Sequence, residues 1–252
     1  MKKLIGSSAF LVCLLLLESS LHAIGAEVSL GGNQIYPWGY MSFKGESLDM
    51  RNDLNYGQLN TFVGRARIDT PLFLPNIYLI ANPMKFEGTS VRAVSFTYGD
   101  KTFTAAVPFT SSLRLDHYDL TLFYGVPFLK TATDGVLQAD LGINVRYLDF
   151  KAEFSQPQTG ISESKALAIP VPMGYLALRV SPIKKLSIEG ELQGIAYGSS
   201  RYYDAMGRVK YRVMKLLFVA GGYSFQNIKI DQSDVHTDLR FGGPTAELGM
   251  EF

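Results

Sequence analysis

From Val136 to Phe150 the chain alternates strictly: Leu137, Ala139, Leu141, Ile143, Val145 and Tyr147 occupy one face, and Gln138, Asp140, Gly142, Asn144 and Arg146 the other. A period of two is the side-chain period of a β-strand. A strand of a soluble sandwich is about 5–6 residues long, whereas one that crosses a bilayer needs about 9–11. This segment holds its pattern for longer than the soluble length. One face is uninterruptedly apolar and the other polar or charged, which predicts lipid outside and a polar interior within.

The same alternation divides the rest of the chain. Strands are predicted over Glu27 to Phe43, with an interruption at Gly31-Gly32, then Gln58 to Thr70, Asn76 to Glu87, Ser112 to Phe128 and Val136 to Phe150. They continue over Lys165 to Ser181, Leu186 to Gly198, Arg201 to Val213, Lys215 to Ile230 and Leu239 to Phe252. Lys165 to Ser181 is apolar on both faces, and Pro170 and Pro172 assign its first half to an edge or a loop extension. With Ser90 to Val107 as a hairpin projecting around Gly99-Asp100, the count is ten, eight and twelve being the neighbouring even counts. An even count brings both ends to one side, as a bacterial barrel requires. Connections on that side are short: Pro71 to Pro75, Pro127 to Gly135, Pro182 to Lys185 and Met214-Lys215. On the other side long polar loops are expected at Lys44 to Gly57, Gly88 to Ser111, Lys151 to Ser164 and Asp231 to Asp238, with Gly198 to Ser200 short. The fold class is therefore all-β, a transmembrane antiparallel up-and-down β-barrel of about ten strands.

Lys2 and Lys3 precede an apolar run from Leu4 to Leu17, a polar break at Glu18-Ser19-Ser20, and small residues at Ala23, Gly25 and Ala26. This is the order of a secretory signal peptide, with cleavage after Gly25 or Ala26; the apolar run is too short for a membrane helix. Residues 1–26 are read as that signal and 27–252 as the barrel, exported through the general secretory pathway to the outer membrane. The whole chain carries 24 Lys+Arg, 23 Asp+Glu and one cysteine. Removing Lys2, Lys3, Glu18 and Cys13 leaves 24 − 2 = 22 basic against 23 − 1 = 22 acidic residues and no cysteine. Neutrality argues against nucleic acid as a partner, and the absence of cysteine against disulfide or thiolate-metal chemistry.

The final strand sets Ala246, Leu248, Met250 and Phe252 against Thr245, Glu247, Gly249 and Glu251. A terminal strand ending in Phe resembles the signal by which outer-membrane barrels are handed to their assembly machinery, with Phe252, Met250 and Leu248 as its residues. From about Gln58 onward the chain also resembles a family of single-barrel bacterial outer-membrane proteins of about 250 residues with no assigned activity. The resemblance rests on His117-Tyr118-Asp119-Leu120-Thr121-Leu122-Phe123-Tyr124, Asp140-Leu141-Gly142 leading to Arg146-Tyr147-Leu148-Asp149, Tyr203-Asp204, and Phe241-Gly242-Gly243-Pro244 before Phe252. The resemblance implies fold and location and no reaction. A monomer is expected, with outer-membrane lipids, lipopolysaccharide, periplasmic chaperones and the assembly machinery as its partners.

On the expected lumen face Arg65, Arg67, Arg146, Arg208, Lys210 and Arg212 stand against Asp69, Asp119, Asp140, Glu189, Glu191 and Glu247, six against six. In a narrow barrel such charges must pair to offset desolvation. The expected reading is an ion-pair network that plugs the lumen; the competing one is a charged constriction in a small passive channel. Arg208, Lys210 and Arg212 form a basic ladder, which Glu189 and Glu191 are expected to neutralise.

Two histidines remain for chemistry. His117 lies beside Asp116 and Asp119, where a lumen hydrogen bond to a carboxylate is expected; His236 lies beside Asp234 and Asp238, a conceivable rim dyad of the omptin kind. No GxSxG, HExxH or Walker A motif is present. Asp231, Asp234 and Asp238 lack the glycine and terminal glutamate of a calcium loop. No enzyme, cofactor or metal is expected. Tyr36, Trp38, Tyr40, Tyr124, Phe128, Tyr147, Phe150, Tyr197, Tyr202, Tyr203, Tyr223, Phe225 and Phe241 are expected to form interfacial girdles.

Overall fold

The computed structural model describes residues 25–71, 74–232 and 234–252. The expected signal segment lies outside these residues except for Gly25 and Ala26, which open the first strand and pair with Asp69 and Ile68.

The chain forms fourteen strands: β1 (Gly25–Met41), β2 (Leu48–Asp49), β3 (Leu59–Asp69), β4 (Asn76–Asn82), β5 (Lys85–Ser90), β6 (Phe96–Tyr98), β7 (Lys101–Phe103), β8 (Phe109–Gly125), β9 (Leu137–Gln156), β10 (Ile161–Ile183), β11 (Leu186–Tyr197), β12 (Ser200–Arg212), β13 (Leu217–Gln232) and β14 (Val235–Glu251). Among the described residues one short helix, α1 (Leu129–Ala132), sits in the turn between β8 and β9. Each barrel strand pairs antiparallel with its neighbours, and β14 returns to pair with β1 and close the sheet. Strands β4 and β5 act as one stave: both pair with β8 in one continuous register across Pro83 and Met84. The barrel therefore has ten staves, as the alternation predicted, with β2 as an annex and β6–β7 as a separate hairpin. Closure removes the unpaired edges that cannot exist in lipid.

The outward positions form an apolar belt without charges. Val28, Leu30, Leu120, Leu122, Leu141, Ile143, Leu176, Leu178, Val209, Val219 and Leu248 all face outward and are exposed. So much exposed aliphatic surface would be a severe liability in water and is what hydrocarbon requires. Lys85, Asp116, Asp149, Arg201 and Arg240 mark the outer limit of the belt on their strands. Tyr118, Tyr124, Tyr147 and Tyr223 face outward as girdle residues. Tyr202, Phe150, Phe241 and Tyr197 do not: they share the inward parity of Asp204, Arg146, Glu247 and Gln193, Tyr197 being exposed only because it stands at the hairpin tip, so the expected girdle is smaller by four.

Two expected loops are strand. Lys151 to Ser164 forms the top of a tall β9–β10 hairpin, which turns only at residues 157–160. Asp231 to Asp238 is a tight turn, with Gln232 already paired to Val235. Polar residues had suggested loops at both places, but strands that rise above the belt meet water and take polar side chains. The β6–β7 hairpin turns at Gly99-Asp100 as expected, with Gly99 at φ +64°. Instead of projecting, it folds inward over the lumen.

Candidate functional site in the barrel lumen

The interior has two tiers. Toward the chain termini it is a network of charged side chains, and toward the long loops it is apolar.

In the lower tier, Arg208 on β12 spans three strands. It donates to Glu189 on β11 at 2.6 Å, Glu247 on β14 at 3.0 Å and Glu27 on β1 at 3.0 Å. Lys210, two residues along, reaches Glu27 at 2.8 Å, Glu251 at 3.1 Å and Glu189 at 3.4 Å. Arg179 adds a contact to Glu189 at 2.8 Å. Glu247 also accepts from Arg65 at 3.2 Å and from the Ser29 hydroxyl at 2.7 Å. Arg67 bridges Asp69 and Asp140 at 2.9 Å each and lies 4.4 Å over the Phe123 ring. These groups fit because glycines stand opposite the largest of them. A β-carbon on Gly222 would come within 2.7 Å of that of Arg208, and one on Gly31 within 2.6 Å of Glu247 Cγ. Gly31 is therefore no interruption; it lets the β14 backbone at Ala246 and the Glu247 side chain come close to β1.

Above this tier Arg146 on β9 is buried and fully engaged. It binds Asp119 bidentately at 2.7 Å on both oxygens, the Tyr202 hydroxyl at 2.8 Å, and Gln193 and Asp204 at 3.1 Å. A guanidinium held in a fork geometry with every neighbour accepting is the arrangement in which burial of charge is tolerable. Between the tiers lies a polar cavity of about 40 Å³ bordered by Asn33, Arg65, His117, Arg146, Glu191 and Gln226. It has room for one or two waters.

All twelve expected lumen residues face inward, but their partners differ from expectation. The basic ladder is neutralised by Glu189, Glu27, Glu247 and Glu251; Glu191 instead contacts Arg65 at 3.9 Å and accepts from Tyr78 at 3.2 Å. Arg212 pairs with Glu251 at the lower mouth, where Asp69 is also half exposed. Glu27, Arg179, Asp204 and Glu251 belong to the network as well. Among the described residues the tally becomes seven basic groups (six plus Arg179) against nine acidic (six plus Glu27, Asp204 and Glu251). Their parity within the alternating strands was the signal that could have found Glu27, Asp204 and Glu251. Arg179 was hidden in a strand that looked apolar on both faces.

The upper tier is lined by Ile35, Met41, Leu113, Leu115, Leu148 and Ala152 from the strands. It is covered by Leu48, Met50, Leu54 and Tyr56 from the β1–β3 connection and by Phe96, Tyr98 and Phe103 from the hairpin. Phe96 stacks on Phe103 at 4.9 Å, and Tyr98 lies 4.1 Å from Phe154. The cover is tied down by Lys44–Asp100 at 3.0 Å, Arg92–Asp53 at 3.2 Å, the Thr97 amide donating to Glu46 at 2.6 Å, and buried Gln156 donating to the carbonyls of Thr104 and Val107. The Thr97 amide holds the Glu46 carboxyl below its ordinary range. The apolar upper half explains why Lys165 to Ser181 reads as apolar on both faces: Met173, Val171, Ile169 and Leu167 face this interior while Leu176 and Leu178 face lipid.

His117 is buried among Asn82 and the Leu115 carbonyl, each at 3.4 Å, rather than bonded to a carboxylate; Asp116 points outward and accepts from the Met84 amide. His236 pairs with Asp231 at 2.9 Å, not with Asp234 or Asp238. Asp238 is held by Arg240 and Asn227. Among the described residues no group of three His, Cys, Asp or Glu is placed to hold a metal ion.

No protein-family profile and no curated protein sequence matches the chain. Solved structures do. The chain is similar in fold to the outer membrane protease OmpT from Escherichia coli, at 11% identity over 92% of this chain and 98% of that one, with a TM-score of 0.50. It also matches the translocator domain of the autotransporter NalP from Neisseria meningitidis (12% identity, 98% and 95% covered, TM-score 0.47) and the outer membrane protein OprG from Pseudomonas aeruginosa (11%, 91% and 96%, 0.42). At such identities the likeness to the protease is one of fold. With the uncharged belt, it makes the chain a single-domain, membrane-spanning β-barrel of the outer-membrane type.

Proposed function

We propose that this barrel is a non-enzymatic structural or surface-interaction protein whose lumen is plugged. The observation that carries the reading is the pairing of the lower tier, where Arg208 alone engages three carboxylates on three strands and the adjoining cavity is only about 40 Å³. An ion-selective pore needs charge that faces water; here each large cation is spent on neighbouring carboxylates. Lipids and lipopolysaccharide surround the belt, and Phe252 with Met250 and Leu248 presents the strand end to the assembly machinery. Leu248 and Met250 lie outward in the closing seam, opposite Leu30 and Val28. The surface offered outside the cell is the tip of the β9–β10 hairpin and the outer side of the cover, both solvated and both carried on rigid staves. Planar-bilayer recording tests the reading. Purified barrel at neutral pH is expected to give no steady conductance, and stable single-channel steps would overturn it.

A further inference from the structure

The barrel wall is complete below but not above. Strands β11 and β12 meet at a short hairpin with Gly198 at its tip, and β10 pairs with β11 only from Gly174 downward. Above that point β10 runs on for more than ten residues bonded to β9 alone, with Pro170 and Pro172 on its length. Prolines belong on a free edge, because no ladder amide is missed there. On the far side of the gap β13 loses its β12 partner beyond Lys229. A second gap, between the upper part of β3 and β5, is bridged by Thr61 of β3 donating to the Pro83 carbonyl and closed by the cover, where Asn55 donates to the Thr89 carbonyl. Among the described residues no hydrogen bond joins β10 to β13 over the short hairpin, whose tip is tied to Asp231 of β13 alone.

Behind it lies an apolar cavity of about 230 Å³. Its walls are Leu148, Leu167 and Ile169 on one side and Ile228, Ile230 and Leu239 on the other. Leu148, Ile228 and Leu239 are buried, whereas Leu167, Ile169 and Ile230 face inward yet are 47%, 36% and 37% exposed, so the opening reaches them. Arg201, at the outer limit of the lipid belt, lies beside the lower lip, so the mouth is continuous with the membrane boundary. A dry cavity of about 150 Å³ already takes up a benzene-sized molecule. At the mouth stands Lys165, its ammonium 5.2 Å from the Phe43 ring and in no ion pair among the described residues.

We infer that this cavity is a binding site for a single-chain aliphatic carboxylate, a medium-chain free fatty acid that slides in sideways from the membrane boundary over the short hairpin, with its chain among the six aliphatic walls and its carboxylate on Lys165. Both chemistries are needed: the walls exclude a polar solute, and the lone ammonium at the mouth selects an anionic head over a neutral one. The charged tier beneath ends the path, so the site holds its ligand without passing it across.

The test uses the full barrel in lipid nanodiscs with decanoic acid carrying a terminal photoactivatable diazirine, and mass spectrometry of the labelled peptides. Labelling is expected on peptides containing Leu148, Leu167 to Ile169 and Ile228 to Ile230, and excess decanoate is expected to suppress it there but not on the belt residues Leu141 to Val145. Leu167→Trp, at the half-exposed mouth, is expected to abolish interior labelling while leaving belt labelling and heat-modifiable mobility intact. Lys165→Gln is expected to lower interior labelling by the acid about fivefold, the factor that corresponds to about 1 kcal/mol of a lost ion pair, and to leave the methyl ester unaffected. Labelling confined to the belt, or interior labelling indifferent to Leu167→Trp, overturns the site. Equal labelling by acid and ester in the unaltered barrel overturns the carboxylate, and labelling of the same peptides by a diazirine phospholipid but not by the free acid overturns the free fatty acid as occupant.

Discussion

The two halves of the lumen share one continuous wall and solve opposite problems. In the lower half, taken with the Arg146 cluster just above it, charged side chains from eight strands are drawn into contacts of about 3 Å, and Arg208 and Arg146 each serve several acceptors. In the upper half, aliphatic and aromatic side chains meet a cover folded in from the loops. The first half is held by charge compensation, where each partner is indispensable because its neighbours would otherwise be buried unpaired. The second is held by packing, where each loss is graded by the volume removed. The difference teaches that a barrel whose outside is dictated by lipid leaves its inside free to differ from end to end.

Breaking the lower half has the largest expected effect. Arg146→Ala strands Asp119 and Asp204 in the interior and is expected to cost about 3–5 kcal/mol, measured as a lowered urea midpoint for unfolding from lipid vesicles. The double variant Arg146→Leu with Asp119→Leu is expected to lose less than the single one. If the single variant proves as stable as the parent, the barrel is not held by charge compensation at this level. Phe103→Ala, in the cover, comes next. Its ring is fully buried against Phe96, Phe109 and Phe154. Its loss is expected to cost about 3 kcal/mol, but locally. Hydrogen exchange at residues 44–57 and 96–103 should rise while the unfolding midpoint of the staves stays put. Global unfolding would mean that the two halves are one cooperative unit. The smallest effect concerns pH. Because the Thr97 amide depresses the Glu46 carboxyl in the folded cover, its contribution is complete above the unfolded value of 4.5 and is lost as pH falls through the lower folded value. Exposed as it is, the contact is worth a few tenths of a kcal/mol, about the level of a surface pair. Proteolysis of the cover should quicken modestly on acidification in the parent and not in Glu46→Gln.

Legibility followed exposure to lipid. Where a strand lies in the belt, as Leu137 to Tyr147 and Tyr118 to Tyr124 do, every second residue must be apolar, and face and length could be read directly. Above the belt that constraint lapses. Lys151 to Ser164 and Asp231 to Asp238 are polar and looked like loops, yet water tolerates polar strands as well as polar loops. The lumen charges were legible as inward residues because alternation assigns faces. Their partners were not, since Arg208 meets Glu27 and Glu247 only after the sheet has closed on itself. The gap at the short hairpin was visible as a brief connection at Gly198 to Ser200, but its consequence was not.

By itself the sequence determined the number of staves and, within the belt, which residues face lipid, because a period of two under an apolar solvent leaves one solution per strand. Only the tertiary structure decided which charges neutralise which, that the loops fold inward over an apolar upper lumen, and that one side of that lumen stays open. Those outcomes depend on contacts between strands distant along the chain, and alternation within one strand carries no information about what stands opposite.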